Sequence, residues 1–177
     1  MLIRSDEAER IFSNVKRAPP PFHWLDGSKT SRDRLTIEVR VRFEDGEIPR
    51  GTLMRITAYP AHFHAFTFQL DCAISDNACS RIPLYRLEVN PLRAHTNIFI
   101  GPDNLHGLYF AAGCTHEHDF HDSLTKDGKL PKNPLAIARK VIVDPADFSN
   151  GLAVFCNRVN LVNGSDIPTP PSQGAFL

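Results

Sequence analysis

Leu35-Thr36-Ile37-Glu38-Val39-Arg40-Val41-Arg42-Phe43 decides the fold class. Its apolar residues, Leu35, Ile37, Val39, Val41 and Phe43, alternate with Thr36, Glu38, Arg40 and Arg42. Period-two alternation gives a strand one buried and one wet face, as in an antiparallel sheet. Asp45-Gly46 follows as a turn signal. Residues 52–59 and, beyond Pro60, the phenylalanine-rich 62–71 read as the next two strands. Residues 84–90 make a fourth, with 95–100 and 105–111 as fifth and sixth. Short turns join them, which points to an antiparallel meander rather than βαβ units.

Upstream, Ser5 reads as a helix N-cap, with Asp6, Glu7 and Glu9 complementing the dipole of the first turn. Ala8, Ile11, Phe12 and Val15 follow at helical spacing. That helix is expected to end in Lys16-Arg17, before Pro19-Pro20-Pro21. A loop runs through His23-Trp24 to Ser31. At the other end, 113–133 reads as polar loop, 134–140 as a short helix and Val141-Ile142-Val143 as a brief strand. Asp144 then caps a helix with Pro145 in its first turn and an apolar stripe of Phe148, Leu152, Phe155 and Val159. Gly151 inside it is costly. The expected fold is α+β: an antiparallel sheet of about five to six strands, a typical sheet size, flanked by N-terminal and C-terminal helices. It occupies residues 1–162 as one domain, and 163–177, with Pro168, Pro170 and Pro171, form a loosely ordered tail.

Composition narrows the function classes. A chain of 177 residues, 42% apolar and 23% charged, suits a single packed domain. Twenty basic and twenty acidic residues balance to zero, against a large basic surface for a nucleic acid duplex but not against a small basic cleft. No stretch approaches the ~18 apolar residues of a membrane helix. Met1 to Glu7 turns acidic at once, unlike a secretory signal. A cytoplasmic protein without membrane association is expected. Cys72, Cys79, Cys114 and Cys156 contain no C-x-x-C pair and read as buried thiols of a reducing compartment. Gly-rich phosphate loops, G-x-S-x-G and H-E-x-x-H are all missing from the sequence, so no organic cofactor is expected.

The eight histidines cluster. In Cys114-Thr115-His116-Glu117-His118-Asp119-Phe120-His121-Asp122, an extended backbone puts Cys114, His116 and His118 on one face, with His121 arriving after a turn. Thiolate and imidazole suit zinc, yet a C-x-H-x-H-x-x-H spacing matches no standard zinc module. A solvated polar loop is the competing reading. A second constellation is Arg86-Leu87-Glu88 followed by His95-Thr96-Asn97 and His106. Arg86 and Glu88 share a strand face, and a returning strand brings His95 and Asn97 opposite. Histidine beside arginine and carboxylate has the ingredients for proton transfer next to an anion. A surface ion pair beside a strand-end histidine is the alternative. His62 and His64 form a third pair, at the rim of the apolar layer of Phe66, Phe68 and Leu70.

The order of these features resembles a family of uncharacterised bacterial and prophage proteins. Its members carry arginine and aspartate on one strand, then H-T-N, then P-H-x-H-x-Y. The match here falls on Arg86, Glu88, His95, Thr96, Asn97 and His106 with Tyr109, and a terminal helix bears Phe155-Cys156-Asn157. Glu88 replaces the aspartate, Asn104-Leu105-His106 stands for the P-H-x-H step, and the histidine-rich 116–121 replaces a Gly/Trp-containing segment. Arg-x-acid followed by paired histidines is also similar, more weakly, to TumE-type ribonuclease toxins. The resemblance implies a toxin-like prophage or mobile-element protein that binds or cleaves RNA, with an antitoxin as partner. His95 and His106 would then be acid/base groups, Arg86 the phosphate clamp and Glu88 the orienting carboxylate, with Asn97 beside them. The alternative is a non-catalytic inhibitor or adaptor docking on a host or defence protein, through a patch around Phe22 and Trp24. A further one is a small zinc protein using Cys114, His116, His118 and His121.

Overall fold

The computed structural model describes residues 4–26, 34–62, 64–73, 81–131 and 133–171. Cys79 lies outside them. Along the described chain run α1 (Ser5–Ser13), β1 (Lys16–Arg17), β2 (Leu25–Asp26), β3 (Leu35–Arg40), β4 (Arg42–Phe43), β5 (Leu53–Ala58), β6 (Phe66–Ala73) and β7 (Arg81–Val89). Then follow β8 (His95–Thr96), β9 (Tyr109–Phe110), β10 (His116–Asp119), β11 (Ala138–Lys140) and α2 (Phe148–Arg158). Seven strands form one antiparallel sheet in the order β11-β10-β7-β6-β5-β3-β2, while β1 pairs with β4 and β8 with β9. The fold is α+β, an antiparallel sheet flanked by an N-terminal and a C-terminal helix.

Period-two alternation sorts the sheet into two faces. On one, the register lines up Ile37, Ile56, Phe68 and Leu87, with Val39, Met54, Leu70 and Tyr85 in the next row. Both helices pack here: Phe155 of α2 stacks on Phe68 at 5.9 Å, and Phe12 of α1 lies 6.1 Å from Tyr85. Gly151 has a purpose in this packing. A Cβ there would sit 2.9 Å from the Phe68 ring and 3.2 Å from Val89, so only glycine lets α2 approach the sheet. The opposite face is polar. One cross-strand row reads Thr36, Thr57, Thr67, Glu88, His116, Lys140, and the next Glu38, Arg55, Gln69, Arg86, His118, Ala138.

Several expectations need correction. The first helix ends at Ser13, with Arg4 as its N-cap residue rather than Ser5; Lys16 is fully buried and donates to the Phe12 carbonyl at 2.9 Å. The strand beginning at Leu35 breaks at Val41. The strands expected over 95–100 and 105–111 shrink to the two-residue β8 and β9. Residues 134–140 contain no helix: Ala138–Lys140 form the edge strand β11, and Ile142 and Val143 stand exposed beyond it. Residues 113–133 are not simply loop, because β10 arises within them and every residue from Thr115 to Phe120 is buried. As far as Pro171, the tail packs instead of hanging loose. Ile167 is buried, Gly164 presses on Cys156 so closely that a Cβ would lie 2.3 Å from its sulfur, and the Trp24 indole donates to the Pro168 and Thr169 carbonyls.

Candidate metal centre

The pairing of β10 with β7 merges the two sequence constellations into one. Register sets His116 opposite Glu88 and His118 opposite Arg86, on the polar face. One ligand atom each from Glu88, His116 and His118 lies within 4.8 Å of the others. His116 and His118 are 0% and 2% exposed, whereas the Glu88 side chain keeps 21% exposure and opens the cluster to solvent.

The tautomers follow from the hydrogen bonds. His116 Nδ1 donates to the Cys114 carbonyl at 2.8 Å, which leaves Nε2 as the ring nitrogen facing the cluster. His116 Nε2 lies 3.2 Å from Glu88 Oε2, a contact that needs a proton or a cation shared between the two atoms. His118 Nδ1 is buried without a partner as well. An orphaned buried polar atom costs about 1–3 kcal/mol. A proton between His116 and Glu88 would relieve that pair alone; a metal ion relieves all three donors. Tetrahedral bonds of ~2.0–2.1 Å to nitrogen and oxygen put donors about 3.3 Å apart, close to the 3.2 Å between His116 and Glu88.

Charge around the cluster favours deprotonated ligands. Burial works to raise the Glu88 carboxyl, but the hydrogen bond with His116 and the nearby Arg86 guanidinium overcome it and hold it at about 2. Burial first, then Arg86, push His118 down to about 3, so its imidazole is neutral and able to ligate. Arg86 is itself pinned: Nε donates to Gln69 at 3.0 Å and one terminal nitrogen to Glu88 at 3.1 Å. It orients Glu88 through one of its terminal nitrogens.

His95 roofs the cluster. Its ring lies edge-on 4.8 Å from His118 and stacks 5.7 Å from His116, while Phe110 covers His116 at 4.9 Å. Asn97 explains the placement. Its Nδ2 donates to the Leu105 and Ala138 carbonyls, and its Oδ1 accepts from Ala138 N at 2.7 Å, which fixes the amide orientation. The same Oδ1 lies 2.9 Å from His95 Nε2, so Nε2 carries the proton and Nδ1 the lone pair. Burial pushes the His95 pKa down.

No family model, curated protein or solved structure matches this chain.

Of the residues picked from sequence, the structure gathers Arg86, Glu88, His95, Asn97, His116 and His118 and leaves out three. Cys114 contributes its carbonyl to His116, and its thiol does not join the ligand group. His121 faces the opposite side of the sheet, where Nδ1 bonds Asp119 and Nε2 bonds Glu9, both at 2.5 Å. The 3-10 turn Phe120–Ser123 that follows β10 swings it there. His106 lies out on the β8–β9 excursion, 3.2 Å from the Gly101 carbonyl and against the Phe99 ring. His62 and His64 are exposed between β5 and β6, apart from the cluster. Sequence reasoning missed the His116–Glu88 pairing, Phe110, and the buried Asp119 that binds His121, Arg139 and Arg158. The H-x-H spacing on an extended chain was the one signal available.

Proposed function

We propose that Glu88, His116 and His118 bind a divalent metal of the zinc class, and that the protein is a metal-dependent hydrolytic enzyme. The observation that carries this is the close contact of His116 Nε2 and Glu88 Oε2 beside the buried, unpartnered His118 Nδ1, in a group whose three residues each offer a ligand atom within 4.8 Å of the others. Structural zinc sites are closed and usually cysteine-rich, whereas two histidines and one glutamate leave a fourth position open, as catalytic sites do. A bound zinc supplies Lewis acidity and an acidified water. Around it, Arg86 orients Glu88, Phe110 excludes water from one side, and His95 offers an unprotonated Nδ1 as general base. RNA remains a substrate to test, since the same histidine and arginine sit beside the cluster.

The first test is metal content and zinc affinity of purified protein, with His118→Ala and Glu88→Gln alongside. Stoichiometric binding weakened about 100-fold or more in either variant is expected, given that even supporting residues cost 10–100-fold. Wild-type protein that takes up no zinc, cobalt or manganese would sink the reading. RNA incubated with and without a chelator then asks whether any cleavage needs the ion, and His95→Ala whether it needs the base.

A non-catalytic docking role has one observation in its favour. Phe22 and Trp24 pack against the core, but Ile98, Phe99, Leu108 and Tyr109 of the β8–β9 excursion are exposed, Phe99 at 81%. A partner seated there would lie over the roof of the cluster. Protein that binds metal yet turns over no ester, amide or RNA substrate would favour it.

A further inference from the structure

A cavity of about 360 Å³ opens against Glu88 on the polar face, on the side away from β10. Three strand ends build it. Arg34 precedes β3, Tyr59 follows β5, and Arg93 and Leu92 follow β7, while Thr67 of β6 sits directly across from Glu88 in the ladder. Its chemistry is one-sided. Arg34 and Arg93 are exposed and make no salt bridge among the described residues, although most other arginines on this face are paired. The single carboxylate in the lining is Glu88, already committed to His116 and Arg86. Two guanidinium forks without a salt bridge among the described residues share this lining with the Tyr59 and Thr67 hydroxyls, so donors outnumber acceptors. Planar guanidinium forks match the oxygens of phosphate and carboxylate bidentately. The volume lies near the lower end of small-molecule pockets, ~300–1,000 Å³.

We infer that this cavity holds the oxyanion of a small-molecule substrate, a phosphate or a carboxylate, whose remainder extends toward the Glu88–His116–His118 centre. The substrate role rests on the metal reading above; the anion site itself rests on the two arginines. Arg34 and Arg93 would bind and orient, and Thr67 would close the wall beside the ligand carboxylate. Leu92 and Pro91 supply the apolar side for the carbon skeleton.

Inorganic phosphate and acetate, titrated separately into zinc-loaded and chelator-stripped protein and followed by amide chemical shifts, test it. Saturable binding in roughly the millimolar range, about tenfold or more weaker in the double variant Arg34→Ala/Arg93→Ala with zinc affinity unchanged, is expected. Arg93→Glu should abolish it. Phosphate favoured over acetate would identify a phosphate-bearing substrate, and the reverse a carboxylate; either supports the site. Binding unchanged in both variants, or none of either anion, overturns it. Stripped protein that binds phosphate through the arginines but never takes zinc would overturn the metal reading and leave the anion site standing.

Discussion

Asp119 shows at the level of one residue how much this sheet asks of its polar positions. Its carboxylate is fully buried, yet His121, Arg139 and Arg158 all reach it. Burial works to raise its pKa, and the His121 hydrogen bonds and Arg158 more than compensate, so it stays ionised. Asp119→Asn takes the paired carboxylate from Arg158 and one of the carboxylates that hold Arg139 and His121. A destabilisation of about 3 kcal/mol, read from urea unfolding, is expected for breaking such a buried set. His121 itself is raised, first by the Asp119 hydrogen bond and further by Glu9, with burial opposing. Its contribution is therefore full below its unfolded value of about 6.5 and is lost as pH rises through the higher folded value. The difference in urea midpoint between wild type and His121→Gln should be largest near about pH 6 and shrink steadily toward alkaline pH. A difference that grows with pH would contradict the assignment. Asp119 was invisible in the sequence because two of its partners, Arg139 and Arg158, lie far along the chain. His116 and His118 were visible because alternation alone puts them on one side of a strand.

Elements differ in how openly they announce themselves. β3 is legible from its own residues, since Leu35, Ile37 and Val39 at period two admit one reading, although the strand stops at Arg40 and does not run on through Phe43. β10 is not: a fully buried strand of His-Glu-His-Asp reads as loop until β7 and β11 are known to flank it. The apolar stripe of α2 was legible, but its start was not, since Asp147 rather than Asp144 caps it and Pro145 lies outside the helix. The cost of Gly151 in helix propensity is offset by close contact with Phe68 and Val89. Gly151→Ala should thus run against propensity. Alanine gains about 0.5–1 kcal/mol in a helix interior, but the clash with Phe68 costs ~1–3 kcal/mol, and net destabilisation in chemical denaturation is expected. The β8–β9 excursion hangs on Asn97, which meets both the N–H and the C=O of Ala138. Asn97→Ala strands those groups at about 1–3 kcal/mol each. Faster proteolysis within residues 91–114, with the rest of the chain protected, should report the loosened roof.

At the scale of the whole molecule, the two faces of the sheet divide the labour. One carries the core and both helices. The other strings Glu38, Arg55, Asp71, Gln69, Arg86, Glu88 and His116 into one chain of hydrogen bonds and ion pairs across five strands. Among the described residues no helix is long and apolar enough to cross a membrane. Metal bound to the native state alone stabilises it by mass action, about 2.7 kcal/mol at a hundredfold excess over the dissociation constant. For a chain of this size that is a rise of about 5–10 °C in Tm, to be read by scanning calorimetry with and without zinc. The rise should vanish in His118→Ala.

The excursion that leaves the sheet at Val89 returns at His116, and Glu88 and His116 bracket it. An ion held by both would fasten the stem of that excursion, as a cross-link that forms without oxidation and opens without a reductant. A backbone cut between Pro91 and Cys114 would then fall inside a closed ring, and in the nicked protein the ion would join the two pieces at Glu88 and His116. Zinc removal, harmless to the intact chain's connectivity, would then leave the C-terminal piece held only by the β7–β10 ladder and the packing of α2 on the sheet.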